Sequence, residues 1–593
     1  MKLTRKLIAL ILCLTMVMGL PTTVFANEEP HKHYIAVENN RAGYVYAAYQ
    51  IFSGDVDSTG VLSNVNWGTA IPEDQIDDMM SELTQIPAFA DCTTANNVAG
   101  VLATAPNLMD DPLAIAFGDV IGKFATVTAG TSSFDAATGK YTIYNLNDGY
   151  YLVKNTDVPE GANTTYTRYM LKVVADVNIS HKGSFPQVEK KIVEGEKRLD
   201  ASEANIGEVV TYEIVGTLPN NIDYYDTYYY LFTDTLSKGM TYNGDARVTI
   251  DGVDVTAYFY KNASAYTGTG DKYEGGTSIV VGIEDLLALE LLETPNVDIN
   301  ENSKVVLTYT VTLNQHAVVG GFEGNPNKVV LEYDNNPNND GNGATNPPSE
   351  NPDEPTPPDI HGKTPEDEVT TFTTELTIQK VDGAGKVLTG AEFTLTSSTN
   401  VKMNVVTKYK FTEDADGEYW KLKDGSYTKT APVVDDPATS DVNEDTTSVY
   451  ASTTVKYIVT PEVTVTPVTP AAAYNVTAEV DENGLVSFTG LGAGTYTLSE
   501  TKTPTGYNTM DPITFTISFA YDNEQQRYEF SSSDRRFAQD VDNTLSVEIE
   551  NVAGSTLPST GGAGTTMLYV IGSIMFVGAA VLLITKKRMA NEA

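Results

Sequence analysis

The sequence predicts a mainly β protein built of tandem antiparallel sandwiches, with helix confined to its first block. Three observations lead there. Tyr is abundant, at 34 of 593 residues, against 5 His and 2 Trp, and Tyr and Thr favour pleated surfaces. Long stretches alternate apolar and polar residues between Gly, Asn and Asp turns, as sandwich strands do. The length is enough for three to five domains at ~100–200 residues each. With 79 acidic against 38 basic residues, the net charge of −41 excludes a nucleic-acid binder, which needs a basic face. It also excludes docking on anionic lipid through a basic patch.

Both ends read as processing signals. Residues 1–26 carry Lys2, Arg5 and Lys6, an apolar run, and Val24-Phe25-Ala26 as a cleavage site; this is a secretory signal peptide. At the other end stands LPSTG, formed by Leu557, Pro558, Ser559, Thr560 and Gly561. The apolar stretch 567–585 follows, then a basic tail over 586–593. About 19 apolar residues suffice for a transmembrane helix, and the basic tail would stay cytoplasmic. Removing residues 1–26 and 561–593 takes away six basic residues and Glu592, leaving 32 basic and 78 acidic residues, a net −46. Cys13 leaves with the signal peptide, so Cys92 is the single remaining thiol. An exported protein usually has covalent staples, and this one cannot form an intrachain disulfide.

The clearest internal boundary is 335–367, rich in Pro, Asn, Gly and acids, which reads as an exposed linker. A softer one lies near 181–186. The mature chain thus divides into 27–182, 183–334 and 368–553, with a Thr- and Val-rich insertion at 401–473. Helices are expected over 72–84, 110–125 and 283–292.

Residues i and i+2 share a sheet face, and that parity puts several polar residues on core faces. In the last block Lys380 aligns with Leu376 and Ile378, Glu500 with Tyr496 and Leu498, and Asn551 with Val547 and Ile549. The middle block repeats the set. Lys190 aligns with Val188 and Ile192, Asp234 with Phe232 and Leu236, and Asn327 with Val329 and Leu331. Lys191 has the opposite parity. One such residue is readily explained as a strand end turned to water. Six in the same order in two blocks point to chemistry. Desolvation lowers a Lys pKa and raises that of an acid, which leaves a neutral, nucleophilic amine. A protonated acid beside an Asn amide could polarise its carbonyl and shuttle a proton, giving a Lys–Asn isopeptide bond with loss of ammonia.

LPSTG before an apolar span resembles the cell-wall sorting signal of Gram-positive surface proteins. LTIQKVD, YTLSETKTPTGY and VEIENVAG resemble the Cna B-type, immunoglobulin-like domains of Gram-positive pilins and adhesins. VEKKI, LFTDTLSKGMTYN and GNPNKVVLEYDNNP resemble the middle domain of sortase-assembled pilus shaft subunits, and YAAYQIFSGDV is similar to their N-terminal domain. The resemblance implies bonds Lys380–Asn551 with Glu500 as catalyst and Lys190–Asn327 with Asp234, Glu213 being the other acid weighed for the middle block. It implies no such bond in the first block, where Lys154 falls near the position of Glu500. It also implies a linking lysine at the end of the first domain. The family's YPKN sequence is absent there, and VNISHKGSFP offers Lys182 on the polar face of that strand.

The expected function follows: a major shaft subunit, a structural protein and not a turnover enzyme. A sortase would cleave after Thr560 and join it to Lys182 of another copy, and finally to peptidoglycan. Minor pilins and a host or bacterial surface receptor are further expected partners. A singly displayed wall-anchored adhesin is the alternative. No cofactor or metal is expected: His31 and His33 read as a flexible tail, Asp414 and Asp416 as a turn, and Asp334, Asn336 and Asn338 have only a faint calcium-loop spacing.

Overall fold

The computed structural model describes residues 32–104, 112–159, 164–181, 184–337, 343–359, 361–436, 441–442, 449–522, 527–540, 542–555 and 563–591. Lys182 and the LPSTG motif lie outside them.

The first block is mixed, as expected. The strand Val45–Val56 is buried on both faces. Tyr46 and Ala48 meet Ile35, Val37, Tyr141 and Tyr151 on one side. Ala47, Tyr49 and Ile51 meet Met79, Phe89, Phe117 and Ile121 on the other. A strand covered by helices has no solvent face, which explains its nearly continuous apolar run. The covering helices are Ile76–Leu83, Ala95–Leu102 and Pro112–Phe124. The first and third fall within the expected spans. The second was not anticipated; Thr94 caps it by accepting a hydrogen bond from the Asn97 amide at 3.2 Å. His33 belongs to no tail: it opens the strand His33–Glu38 and bonds Asp148 at 3.0 Å.

The middle block is a sandwich of two sheets. One places Val188–Glu194, Val209–Thr217 and Lys304–Leu313 side by side. The other contains Asn325–Asp334, Tyr230–Leu236 and Thr277–Ile283. Tyr212, Ile214, Leu307 and Tyr309 face Phe232, Val281 and Leu331 across the core. The helix expected over 283–292 is only a 3-10 turn, Leu287–Leu291. Ile283 ends a strand, and the Asp285 carboxylate accepts from the Leu287 and Tyr228 amides, each at 3.0 Å.

The segment 335–367 does more than link. His361–Lys363 and Asp367–Phe372 return to pair with Asn325–Asp334, and the latter also runs parallel to Ala201–Glu203. Alternation in Asp367–Phe372 supplies buried Val369, Thr371 and Phe372. The middle sheet is thus completed by residues that follow the Pro-rich excursion.

In the last block the first strand, Thr374–Asp382, and the last, Leu545–Asn551, are parallel neighbours, with Leu376 opposite Leu545 and Asp382 opposite Asn551. The insertion at 401–473 is the outer part of a long ribbon, Glu392–Glu413 against Tyr457–Glu479. The strand Glu392–Glu413 also pairs with Gly494–Lys502 through its first residues and with Leu485–Leu491 through Val405–Thr407.

The middle and last blocks meet at 203–207. The Ile206 amide donates to the Gly490 carbonyl at 2.8 Å. Gly490 has φ +77°, and a side chain there would collide with Ile206. Asn205 bonds the Tyr496 hydroxyl at 2.9 Å, and the Glu203 carboxylate accepts from the Ala493 amide at 2.6 Å.

The helix Ala563–Asn591 occupies the stretch expected to span a membrane. Its described side chains run from Met567 to Leu582. Among the described residues no helix is long and apolar enough to cross a membrane.

Candidate functional sites: two buried lysine, acid and asparagine clusters

In the middle block Lys190, Asp234 and Asn327 come from three strands in two sheets, and all are fully buried. The alternating register of Val188–Glu194 turns Lys190 inward and leaves Lys191 to pair with Glu189 and Asp200 outside. Asp234 and Asn327 lie on adjacent strands, with Asp234 opposite Val329 and Asn327 opposite Leu236. The Lys190 amine is in contact with the Asp234 carboxylate. Burial pushes the amine pKa down and the carboxyl pKa up, each partly offset by the other. Glu213 is not part of this cluster; it pairs with Arg198 on the outer face.

The residue that parity did not single out is Tyr309. Its hydroxyl donates to Asp234 Oδ1 at 2.9 Å and accepts from Lys190 Nζ at 2.8 Å and from Asn327 Nδ2 at 2.8 Å. Its ring stacks on Tyr212 at 5.6 Å, and Lys190 Nζ lies 5.2 Å and 5.4 Å from the Tyr309 and Tyr212 ring centres. In sequence it shares parity with Leu307 and Val311 and reads as one more core aromatic. The available signal was a phenol on the core face of a strand that must cover a buried lysine.

In the last block Lys380 and Asn551 lie on the neighbouring first and last strands, and Glu500 on Gly494–Lys502. Lys380 and Asn551 are fully buried and Glu500 nearly so. Glu500 Oε1 accepts from Asn551 Nδ2 at 2.8 Å, and Oε2 accepts from the Met510 amide at 2.9 Å. Lys380 Nζ donates to the carbonyls of Val381 at 3.0 Å and Ile549 at 2.8 Å. Burial lowers its pKa to about 8. Asn551 Oδ1 and Asn327 Oδ1 are both buried without a hydrogen-bond partner. Each amide oxygen is therefore free to accept a proton or hydrogen bond that would polarise its carbonyl, while its nitrogen is held by a hydroxyl or carboxylate.

In the first block, among the described residues, Lys154 joins no such set: it donates to the Gly122 carbonyl at 3.0 Å and lies over the Tyr49 ring. On the strand before Lys182, Val177–Ser180, Val177 and Ile179 are half-buried while Asn178 and Ser180 are exposed. His181 bonds the Tyr46 hydroxyl at 2.9 Å, and burial lowers its pKa to about 4. Among the described residues no group of His, Cys, Asp or Glu is arranged to hold a metal.

Residues 206–337 match the Gram-positive pilin backbone subunit 2, Cna-B-like domain. Residues 458–533 match the SpaA prealbumin-like fold domain, and 549–591 the LPXTG cell wall anchor motif. The trypsin-resistant surface T6 protein of Streptococcus pyogenes serotype M6 is 25% identical over 424 residues, 69% of this chain and 70% of that one. The chain is a homologue of the Gram-positive backbone pilins. The matched pilin backbone domain and cell wall anchor motif support the role of a major pilin subunit anchored to the cell wall. Solved structures similar to this pilin include the T6 backbone pilin of serotype M6 Streptococcus pyogenes, at 15% identity and TM-score 0.46 over 89% of this chain and 100% of that one. The full-length major pilin SpaD from Corynebacterium diphtheriae gives 16% identity and TM-score 0.41 over 88% and 98%.

Proposed function

We propose that this pilin is a covalent building block in two senses. Within the subunit, Lys190 joins Asn327 with Asp234 as catalyst, and Lys380 joins Asn551 with Glu500 as catalyst. Between subunits, a sortase cleaves after Thr560 and passes its carbonyl to Lys182 of the next copy, and at the base to peptidoglycan.

One observation carries the internal bonds. In each domain a lysine and an asparagine amide are buried in one cluster with an acid that touches one of the two. Burying such groups is costly. A neutral amine beside an amide whose nitrogen is hydrogen-bonded has the requirements for acyl transfer: nucleophile, electrophile and a proton carrier. The product amide removes the buried charge. Each bond forms once, so there is no turnover.

Support for Lys182 is its position after a strand whose exposed residues are Asn178 and Ser180, eight residues before Lys190. Intact-mass spectrometry of the mature chain tests the internal bonds; two condensations remove ~34 Da, as two ammonia. A ladder in wall extracts tests the polymer, and a single band would favour a singly displayed subunit.

A further inference from the structure

The two clusters differ in what touches the asparagine nitrogen. In the last domain it is the acid itself, Glu500 at 2.8 Å. In the middle domain the acid is Asp234, one methylene shorter, and the Tyr309 hydroxyl holds Asn327 Nδ2 at 2.8 Å. That same oxygen lies 2.8 Å from Lys190 Nζ and 2.9 Å from Asp234 Oδ1. One phenol therefore touches the attacking nitrogen, the leaving nitrogen and the acid.

We propose that Tyr309 is a catalytic residue of the middle-domain cross-link, relaying the proton from Lys190 Nζ to Asn327 Nδ2. This rests on the Lys190–Asn327 bond proposed above. Asp234 first takes a proton from the Lys190 ammonium, leaving a neutral amine. The Nζ–Cγ bond to Asn327 forms, placing positive charge on Nζ. Tyr309 accepts a proton from Nζ and gives its own to Nδ2. The Cγ–Nδ2 bond then breaks, and ammonia leaves with the proton stored on Asp234, as ammonium. Tyr309 and Asp234 end as they began, and no oxidant or other reactant is needed.

The phenol is suited to this work. Burial raises its pKa well above the ordinary value, so it stays protonated and can accept and donate at once. Stacking on Tyr212 fixes the ring, and the Tyr212 hydroxyl bonds Thr371 at 2.6 Å while also interacting with the Asn327 side chain. The arrangement also explains how one cluster uses Asp and the other Glu: aspartate plus phenol spans the distance that glutamate spans alone.

The test uses the full mature chain carrying Asn551→Ala, so that only the middle bond changes the mass. The parent should be ~17 Da below its sequence mass, one ammonia. Adding Tyr309→Phe keeps the stacked ring and removes the hydroxyl; the unreacted mass should dominate, and its conversion should be at least about tenfold slower. Asp234→Glu together with Tyr309→Phe should restore the bond, since the longer acid can reach Asn327 as Glu500 reaches Asn551. Full reaction of Tyr309→Phe at the parent's rate would overturn the relay. So would a folded double variant that stays unreacted, which would reduce Tyr309 to a structural role. A parent at its plain sequence mass would instead sink the Lys190–Asn327 bond itself, and the relay with it.

Discussion

Replacing Glu500 with Gln isolates the chemistry of the last domain. Gln keeps an oxygen for the Met510 amide, which Glu500 now holds at 2.9 Å, but it cannot carry a proton. Ala would also leave that amide unpaired, adding about 1–3 kcal/mol unrelated to the bond. Lys380 and Asn551 are 171 residues apart in sequence, and closing a loop of that length removes about 5 kcal/mol of unfolded-state entropy if it acts as a disulfide does. That is an upper bound, because strain and residual structure reduce it. For a domain of this size it corresponds to a fall in Tm of roughly 10–20 °C. The unreacted lysine keeps its bonds to Val381 and Ile549, so the domain should still fold. The assay is intact mass alongside thermal melting and trypsin digestion of the mature chain. Glu500→Gln should be heavier than the parent by about one ammonia, melt lower and be cut sooner. A parent already at its plain sequence mass would refute the bond, whatever the melting curves show. A Glu500→Gln chain that is fully cross-linked would refute the role of Glu500.

Other outcomes follow from the same geometry. Burial holds the Lys380 amine near 8 even with the Glu500 charge raising it, so Glu500→Gln lowers it further; residual cross-linking in that variant should quicken about tenfold per pH unit at low pH and level off below about pH 8, and a flat profile from about pH 5 upward would contradict this. Asp234→Ala should leave the middle bond unformed by mass while the Lys380–Asn551 bond still forms. Lys182→Ala should abolish the ladder yet leave monomer on the wall, whereas replacing Thr560 should abolish both; an intact ladder in Lys182→Ala would reassign the linking lysine. Burial raises the Glu203 pKa to about 7, with Glu208 and Glu194 adding repulsion. The folded state therefore binds a proton that the unfolded chain releases between about 4.5 and 7, so the joint should gain up to about 3 kcal/mol as pH falls through that window. Glu203→Gln should flatten this dependence in pH-resolved melting.

Strand parity went far because both sandwiches bury one face of each strand, and a one-residue slip exposes a whole face. It put Lys190 inside and Lys191 outside, which is where they lie. It did not find Tyr309, whose role depends on what faces it from the other sheet. It also could not see that Asp367–Phe372 returns to the middle sheet, since its parallel partner Ala201–Glu203 lies more than 160 residues earlier. The helix Ala95–Leu102 was missed because ANNVAGVL mixes weak helix formers; the Thr94 cap and the buried trio Ala95, Val98 and Leu102 hold it in place. The ribbon escaped because its long strands pair mainly with each other, so no burial alternation marks Tyr457–Ala473.

The parallel pairing of Thr374–Asp382 with Leu545–Asn551 has a mechanical consequence. A fibre under tension pulls the last domain by the start of its first strand and the end of its last strand. Those strands lie side by side in one direction, so the load shears a whole row of hydrogen bonds at once and cannot unzip them singly. With Lys380 bonded to Asn551, tension passes between adjacent strands and bypasses everything from 381 to 550. The long ribbon then hangs off the load path like a flag from a rope. Its length and surface can change between strains of the bacterium without weakening the rope.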